Sequence, residues 1–382
     1  MLRQLKIGGV VATCAVAMSC AGSPPDLARP ALVSCTQATW ETMTPRNRVG
    51  QLFLLGVPAN TADELSPVIE RLAPGGVFLF GRSTAGVAAT AVTTRAIQRH
   101  GTRASGGVRM FVATDQEGGQ VQVLSGPGFS QIPSAKVQGG WKPEVLQTAA
   151  TGWGQELQAA GVNVDLAPVA DVLSPELGSA NAAIGRYDRA YGTDPQAVAK
   201  HVLAFAQGMD EAGVVSTVKH FPGLGKVQDN TDFSSGVVDD QTTATDRDLL
   251  PFSSASQAAI PWMMVSSAIY SKIDAQQPAS FSPAIITTLL REKIGYRGLV
   301  VSDDLGRAKQ VAAVPAGQRA VRLLRAGGDI VLTADPDTLG PMIDEVLSTA
   351  ASDPEFAERI TESQQRILDA KARLGLLPCG RF

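Results

Sequence analysis

The chain has 382 residues, 44% of them hydrophobic and 18% charged, with a formal net charge of −3. That length and apolar content support a large core, and a nearly balanced charge without a basic run excludes a broad polyanion-binding surface, so no nucleic-acid partner is expected. No Cys/His cluster has zinc-type spacing, and neither a metal nor an organic cofactor is expected.

Residues 1–19 read as a signal peptide: Arg3 and Lys6 precede an apolar run, Ile7 to Met18, too short to span a membrane. Its end, Ala17-Met18-Ser19-Cys20, resembles a bacterial lipobox, with Ala17 where leucine is usual, and Cys20 is the expected lipidation site. Residues 20–35 then read as a lipid-anchored tether and 36–382 as one domain, exported, facing the cell envelope and held to the membrane through the lipid alone. Cys14 leaves with the signal and Cys20 carries the lipid. The remaining pair, Cys35 and Cys379, lie at the two ends of the mature domain in a compartment where disulfides persist, and are expected to bond.

Eight apolar stretches read as strands: Leu52–Val57, Gly76–Phe80, Met110–Asp115, Val162–Asp171, Val214–His220, Trp262–Ser267, Leu299–Asp303 and Asp329–Thr333. Between them Thr61–Leu72, Val87–His100, Pro143–Ala160, Pro195–Ala212, Pro283–Ile294, Gly317–Ala326 and Asp337–Ala350 have helical periodicity, and Pro354–Leu374 reads as a closing helix. Strand and helix alternating in this way predict an α/β fold, a (β/α)8 TIM-type barrel in a single domain, with a monomer favoured. An open doubly wound sheet is the alternative, but no Gly-x-Gly-x-x-Gly follows the first strand and there is no P-loop.

Polar residues close these strands: Asp115, Asp171, Lys219 with His220, Ser267 and Asp303. In a barrel they converge on the face formed by the strands' carboxyl ends. Two carboxylates there suit a retaining glycosidase, which places them about 5–5.5 Å apart. The same set also suits plain sugar recognition.

The motifs GGVFLFGR (75–82), ATDQEGG (113–119), GVNVDLAPVADV (161–172), KHFPGLG (219–225), PASFSPAIIT (278–287) and GLVVSDDLG (298–306) resemble, in this order, those of family 3 glycoside hydrolases. The single-domain, barrel-only layout looks like the family's β-N-acetylglucosaminidase branch. The resemblance implies that Asp303 is the nucleophile that forms a glycosyl-enzyme, that Asp115 hydrogen-bonds sugar hydroxyls, and that Lys219 and His220 grip them from the other side. Arg189 matches an arginine of the family's IGxRSFG pattern, with two extra residues between Gly185 and it. Asp304 is expected to be tied up structurally.

Two departures stand out. Where the family's acetylglucosaminidases usually carry Asp-Ser-His, whose histidine is the acid/base and is oriented by that aspartate, this chain has Asn230-Thr231-Asp232. Of its three histidines, His100 and His201 fall within expected helices and His220 is already assigned, so Asp232 becomes the candidate acid/base. After DQEGG the family often continues Arg-Val-Gln-Arg, and here stand Gln120-Val121-Gln122-Val123. The implied function is a retaining exo-β-N-acetylglucosaminidase acting on cell-wall or muropeptide glycans. A β-glucosidase-like glycosidase and a poorly active sugar-binding lipoprotein are the alternatives.

Overall fold

A computed structural model describes residues 1–2 and 28–379. The signal, the lipidation site at Cys20 and the first part of the tether lie outside the described residues.

The eight expected strands form the barrel wall: β1 (Phe53–Pro58), β2 (Gly76–Phe80), β3 (Phe111–Thr114), β4 (Val164–Asp165), β5 (Val215–Phe221), β6 (Trp262–Val265), β7 (Leu299–Ser302) and β8 (Val331–Thr333). All neighbours are parallel, in the order β7-β6-β5-β4-β3-β2-β1-β8. The circle closes where Ser302 N–H donates to the Ile330 carbonyl at 2.9 Å and Ile330 N–H to that of Val300 at 3.0 Å. Such strands are covered by helices outside and filled by side chains inside, which is why they read as apolar runs instead of alternating ones. Inside, Trp262 packs edge-on against Phe111 with ring centroids 4.9 Å apart.

β4 is much shorter than Val162–Asp171. Pro168 has no N–H to give to the ladder. Pairing nevertheless continues irregularly, through Leu166 N–H to Thr114 O (2.8 Å) and Thr217 N–H to Ala167 O (2.9 Å).

The enclosing helices are α1 (Ala28–Thr42), α2 (Ser66–Leu72), α3 (Gly86–Ala104), α4 (Pro143–Ala159), α5 (Pro195–Glu211), α6 (Leu250–Gln257), α7 (Ala284–Lys293), α8 (Ala316–Arg325), α9 (Pro336–Ser352) and α10 (Pro354–Arg373). Of the described helices, none is long and apolar enough to cross a membrane. Two of them differ from expectation. α6 fills the gap between β5 and β6, its apolar face (Phe252, Ala255) buried and its serines half-buried. α1 begins within the stretch read as a tether, because its second half has a surface to bury. Cys35 and Met43 join Val108, Leu368, Ala372 and Leu377 in a small core of their own. Trp40 Nε1 donates to Gln364 Oε1 on α10 at 3.0 Å, and a disulfide joins Cys35 to Cys379 with Cα atoms 6.0 Å apart.

α10 is locked beneath the barrel by buried Asp329, whose carboxylate meets Arg366 at 2.7 Å and Arg359 at 3.4 Å on that helix, as well as Arg291 on α7. Burial pushes the Asp329 pKa up, but the three guanidiniums outweigh it and hold it below the usual range. Lys371 on the same helix is fully buried without a carboxylate. Its Nζ donates to Gln51 Oε1 at 2.6 Å and lies 5.1 Å from the centre of the Phe111 ring.

Burial pushes the Lys371 pKa well below the ordinary lysine value. An unfolded chain therefore binds this proton at a higher pH than the folded one, so folding stability drops as pH falls from about 10 toward 7. Lys371→Met is expected to flatten that dependence. Urea midpoints at pH 7 and pH 10 check it: the wild-type difference between the two should exceed that of the variant.

Candidate active site

The carboxyl ends of the strands surround a cavity of about 850 Å³, near the upper end of the range for small-molecule sites. Asp115, Arg189, Lys219, His220, Asp232 and Asp303 all line it. The strand-end argument thus brings together Asp115, Lys219, His220 and Asp303, and the resemblance adds Arg189 and Asp232. Asp171 and Ser267, expected at the same face, are fully buried and do not line the cavity.

The floor is a buried charge network. Lys219, at the end of β5, places Nζ 2.6 Å from Asp115 Oδ1 and 2.6 Å from Glu117 Oε1. Glu117 in turn accepts a forked pair from Arg189, with Nε at 2.8 Å and Nη2 at 2.7 Å. Arg189 is further fixed by donating from Nη1 to Ala183 O (2.9 Å). The two residues inserted before Arg189 therefore leave it in the cavity. Burial alone pushes Lys219 down, yet Asp115 and Glu117 outweigh it and raise its pKa. Burial likewise opposes the Glu117 charge, but Arg189 and Lys219 bring its pKa down to about 2. Beneath them Asp165, accepting only Gln116 N–H at 3.0 Å, is pushed up to about 8 by burial.

His220 is oriented from behind. Asp171 Oδ2 accepts from His220 Nδ1 at 2.7 Å, while Asp171 Oδ1 accepts the backbone N–H of Leu224 at 2.7 Å and of His220 at 3.2 Å. Nε2 is thereby turned to the cavity, 3.4 Å from Arg189 Nη2. The loop after β5 is pressed onto the same wall: a Cβ on Gly225 would sit 1.7 Å from Val172 O, so only glycine fits.

Two adjacent aspartates at the end of β7 have opposite fates. Asp304 Oδ1 accepts backbone N–H groups from Gly306 (2.7 Å), Ala334 (3.0 Å) and Arg307 (3.3 Å), which agrees with a structural carboxylate. Asp303 has its N–H on Val265 O (3.0 Å) and accepts Asp304 N–H at 2.9 Å, and its carboxylate borders the cavity.

Asp232 faces the opening from the loop between β5 and α6. Loss of solvent on the cavity side, then the negative charges of Asp303 and Asp304, push its pKa up to about 7. As a residue Asp232 is exposed, so solvent at the mouth screens part of this push.

Glu117 is the participant that sequence reasoning passed over. Its signal was present in DQEGG, but a glutamate before two glycines reads as a solvated turn, and only the fold brings it 72 positions across to Arg189. Among the described residues, no group of three or more His, Cys, Asp or Glu side chains is arranged to hold a metal.

Comparison with known proteins bears on this geometry. The model of the glycosyl hydrolase family 3 N terminal domain matches residues 44–370. A β-hexosaminidase of Stenotrophomonas maltophilia is 33% identical over 341 residues, covering 86% of this chain and 92% of that protein. A β-N-acetylhexosaminidase from Beutenbergia cavernae, known as a crystal structure, superposes with a TM-score of 0.84 at 47% identity, covering 86% of this chain and 98% of the other. A family 3 β-N-acetylglucosaminidase from Paenibacillus sp. gives a TM-score of 0.78 at 28% identity, over 87% of this chain and 63% of its own.

Replacing Glu117 by Gln would leave Arg189 and Lys219 sharing one fewer buried carboxylate. Removing one partner from such a group costs about 3–5 kcal/mol, so the denaturant midpoint of Glu117→Gln is expected to fall at pH 7. Because folded Glu117 titrates near 2, below its ordinary 4.5, its stabilisation is present above about pH 4.5 and fades toward pH 2. The gap between wild type and variant should narrow over that window.

Proposed function

The chain belongs to glycosyl hydrolase family 3 and is a glycoside hydrolase, and from that premise we propose that it is a retaining exo-β-N-acetylglucosaminidase acting on cell-wall or muropeptide glycans. The sugar specificity is supported by the β-N-acetylhexosaminidase of 47% identity and by the β-hexosaminidases among its relatives. The single observation that carries the chemistry is the pairing at one cavity of Asp303, whose carboxylate takes one backbone N–H where that of Asp304 takes three, with Asp232, an aspartate pushed up to about 7.

The Asp303 carboxylate attacks the anomeric carbon while the bond to the leaving oxygen breaks, and that oxygen takes the proton of Asp232. Asp115, Lys219, His220 and Arg189 hold the hydroxyls of the terminal sugar against the charged floor. Once Asp303 is esterified its negative charge is gone, and with it one cause of the raised Asp232 pKa. Asp232, having given up its proton, then stays ionised and is available as the base for the step in which water, losing a proton to it, opens the ester and restores the original configuration.

The carboxylated aglycone of a muropeptide is supported by the cations around the opening. Arg82, Arg307 and Lys309 line the cavity, and none is in an ion pair among the described residues. Export is supported by the apolar amino-terminal run and by the Cys35–Cys379 disulfide, a bond that persists outside the cytosol. Lipidation at Cys20 is part of the same reading.

Hydrolysis of an aryl β-N-acetylglucosaminide and of an N-acetylglucosaminyl disaccharide by the full chain tests the proposal. Asp303→Asn is expected to abolish turnover of both. Asp232→Ala is expected to lose about 100-fold or more on the disaccharide and far less in the first step of an aryl substrate, whose leaving group needs little protonation. For wild type, kcat/KM should decline above about pH 7 as Asp232 loses its proton. Binding of N-acetylglucosamine with no turnover of either substrate would overturn the hydrolase mechanism.

A further inference from the structure

The loop that carries Asp232 has the composition of a free lid, with Asn230, Ser234, Ser235 and Gly236 around an exposed Phe233. Its bonding is that of a clamped turn. Asp232 N–H donates to Asn230 Oδ1 at 2.8 Å. On the facing side stands the segment between β7 and α8, the one that begins with Asp303. Lys309 N–H donates to Asp232 O at 3.2 Å, and Gln310 N–H to Thr231 O at 3.1 Å. The Gln310 side chain then reaches the other end of the turn: Val237 N–H donates to Oε1 at 2.9 Å, and Nε2 donates to Val237 O at 3.2 Å.

A single residue thus holds both ends of the turn, and Thr231 and Val237 are buried where it does so. Val237 O also accepts Ile269 N–H at 3.0 Å, and beyond it Val238–Asp239 pairs with Ile269–Tyr270. No other described side chain bonds this turn from outside it. To the two backbone bonds at Thr231 and Asp232, the Gln310 amide thus adds a side-chain tie between the loops that carry Asp232 and Asp303.

We propose that Gln310 is a positioning residue that holds Asp232 at its working place beside Asp303. The inference rests on the reading of Asp232 as the proton donor. The charged groups facing Asp232 are Asp303 and Asp304 from the end of β7, Asp115 from the end of β3 and Arg189 from the loop between β4 and α5. With the side-chain half of the clamp gone, only the backbone bonds hold the turn to this segment, and Asp232 gains freedom to move toward solvent and away from the two carboxylates of β7. Its proton is then lost at a lower pH, and it meets the leaving oxygen less often. A misplacement of about 1 Å is enough to cost about 100-fold.

The test compares wild type, Gln310→Ala, Asp232→Ala and the double variant, all as full chains. The substrates are N,N′-diacetylchitobiose, with a poor leaving group, and 2,4-dinitrophenyl β-N-acetylglucosaminide, with a good one. Gln310→Ala is expected to lower kcat/KM on the disaccharide about 10- to 100-fold while changing the aryl rate less than about threefold, and to shift the alkaline limb for the disaccharide to lower pH. In the Asp232→Ala background the second substitution should add nothing on the disaccharide, as two residues acting through one group are not additive.

Equal losses on both substrates with an unmoved alkaline limb, or additive losses in the double variant, would overturn the positioning role while leaving the proton donor in place. An unimpaired disaccharide rate in Asp232→Ala removes the donor, and the inference falls with it. Should Gln310→Ala fail to fold, Gln310→Met keeps the length of the side chain and loses both bonds to Val237 without adding a charge. It should show the same dependence on leaving group, and equal loss on both substrates counts against the role.

Discussion

Lys219 is the constraint on which the site depends. A lysine that is almost wholly buried survives as a cation only between carboxylates, and here two of them lie 2.6 Å away, Asp115 and Glu117. Glu117 is neutralised a second time by Arg189, and Arg189 borders His220, whose ring is turned by Asp171. Side chains from β3, β5 and the long loop after β4 are thus bound into one object. Buried ion groups of this kind return little net stability, but removing any member strands the others in a medium of low dielectric. The floor is consequently all-or-none, and a sugar meets donors and acceptors that are already in place.

The wall above it works by contrast. Asp303 and Asp304 differ by one position, yet three backbone N–H groups absorb Asp304 while Asp303 keeps an oxygen toward the cavity. Asp232, opposite, is surrounded by carboxylates and pushed up, whereas Glu117, surrounded by cations, is brought down to about 2. Burial and neighbouring carboxylates hold one carboxyl near neutrality, and neighbouring cations hold the other far below it, so that only the first can give up a proton near pH 7.

Much of this was legible in the chain itself. A run such as Leu299–Ser302, apolar throughout and ended by Asp303, announces a strand covered on both sides and a polar group at its mouth, and the same holds for Lys219 and Asp115. Three features were not. α6 was hidden by Pro251 and three half-buried serines, whose polar side chains weaken the apolar periodicity. The second half of α1 shows its purpose only once α10 is beneath it. Glu117 and Gln310 depend on partners 72 and 73 positions away, Arg189 and Val237, and nothing local distinguishes a glutamate or glutamine that will be paired from one left in water.

The disulfide between Cys35 and Cys379 draws the first described helix and the last described residues to one place. That place adjoins the turn before β3, where Arg109 N–H donates to Leu376 O at 2.8 Å, on the face opposite the strands' carboxyl ends. The first described helix and the last described residues are thus gathered at the base. A support joined beside Cys35 or Cys379, whether a bead, a fused partner or a lipid, would meet the barrel at its base and leave the mouth open to passing glycans.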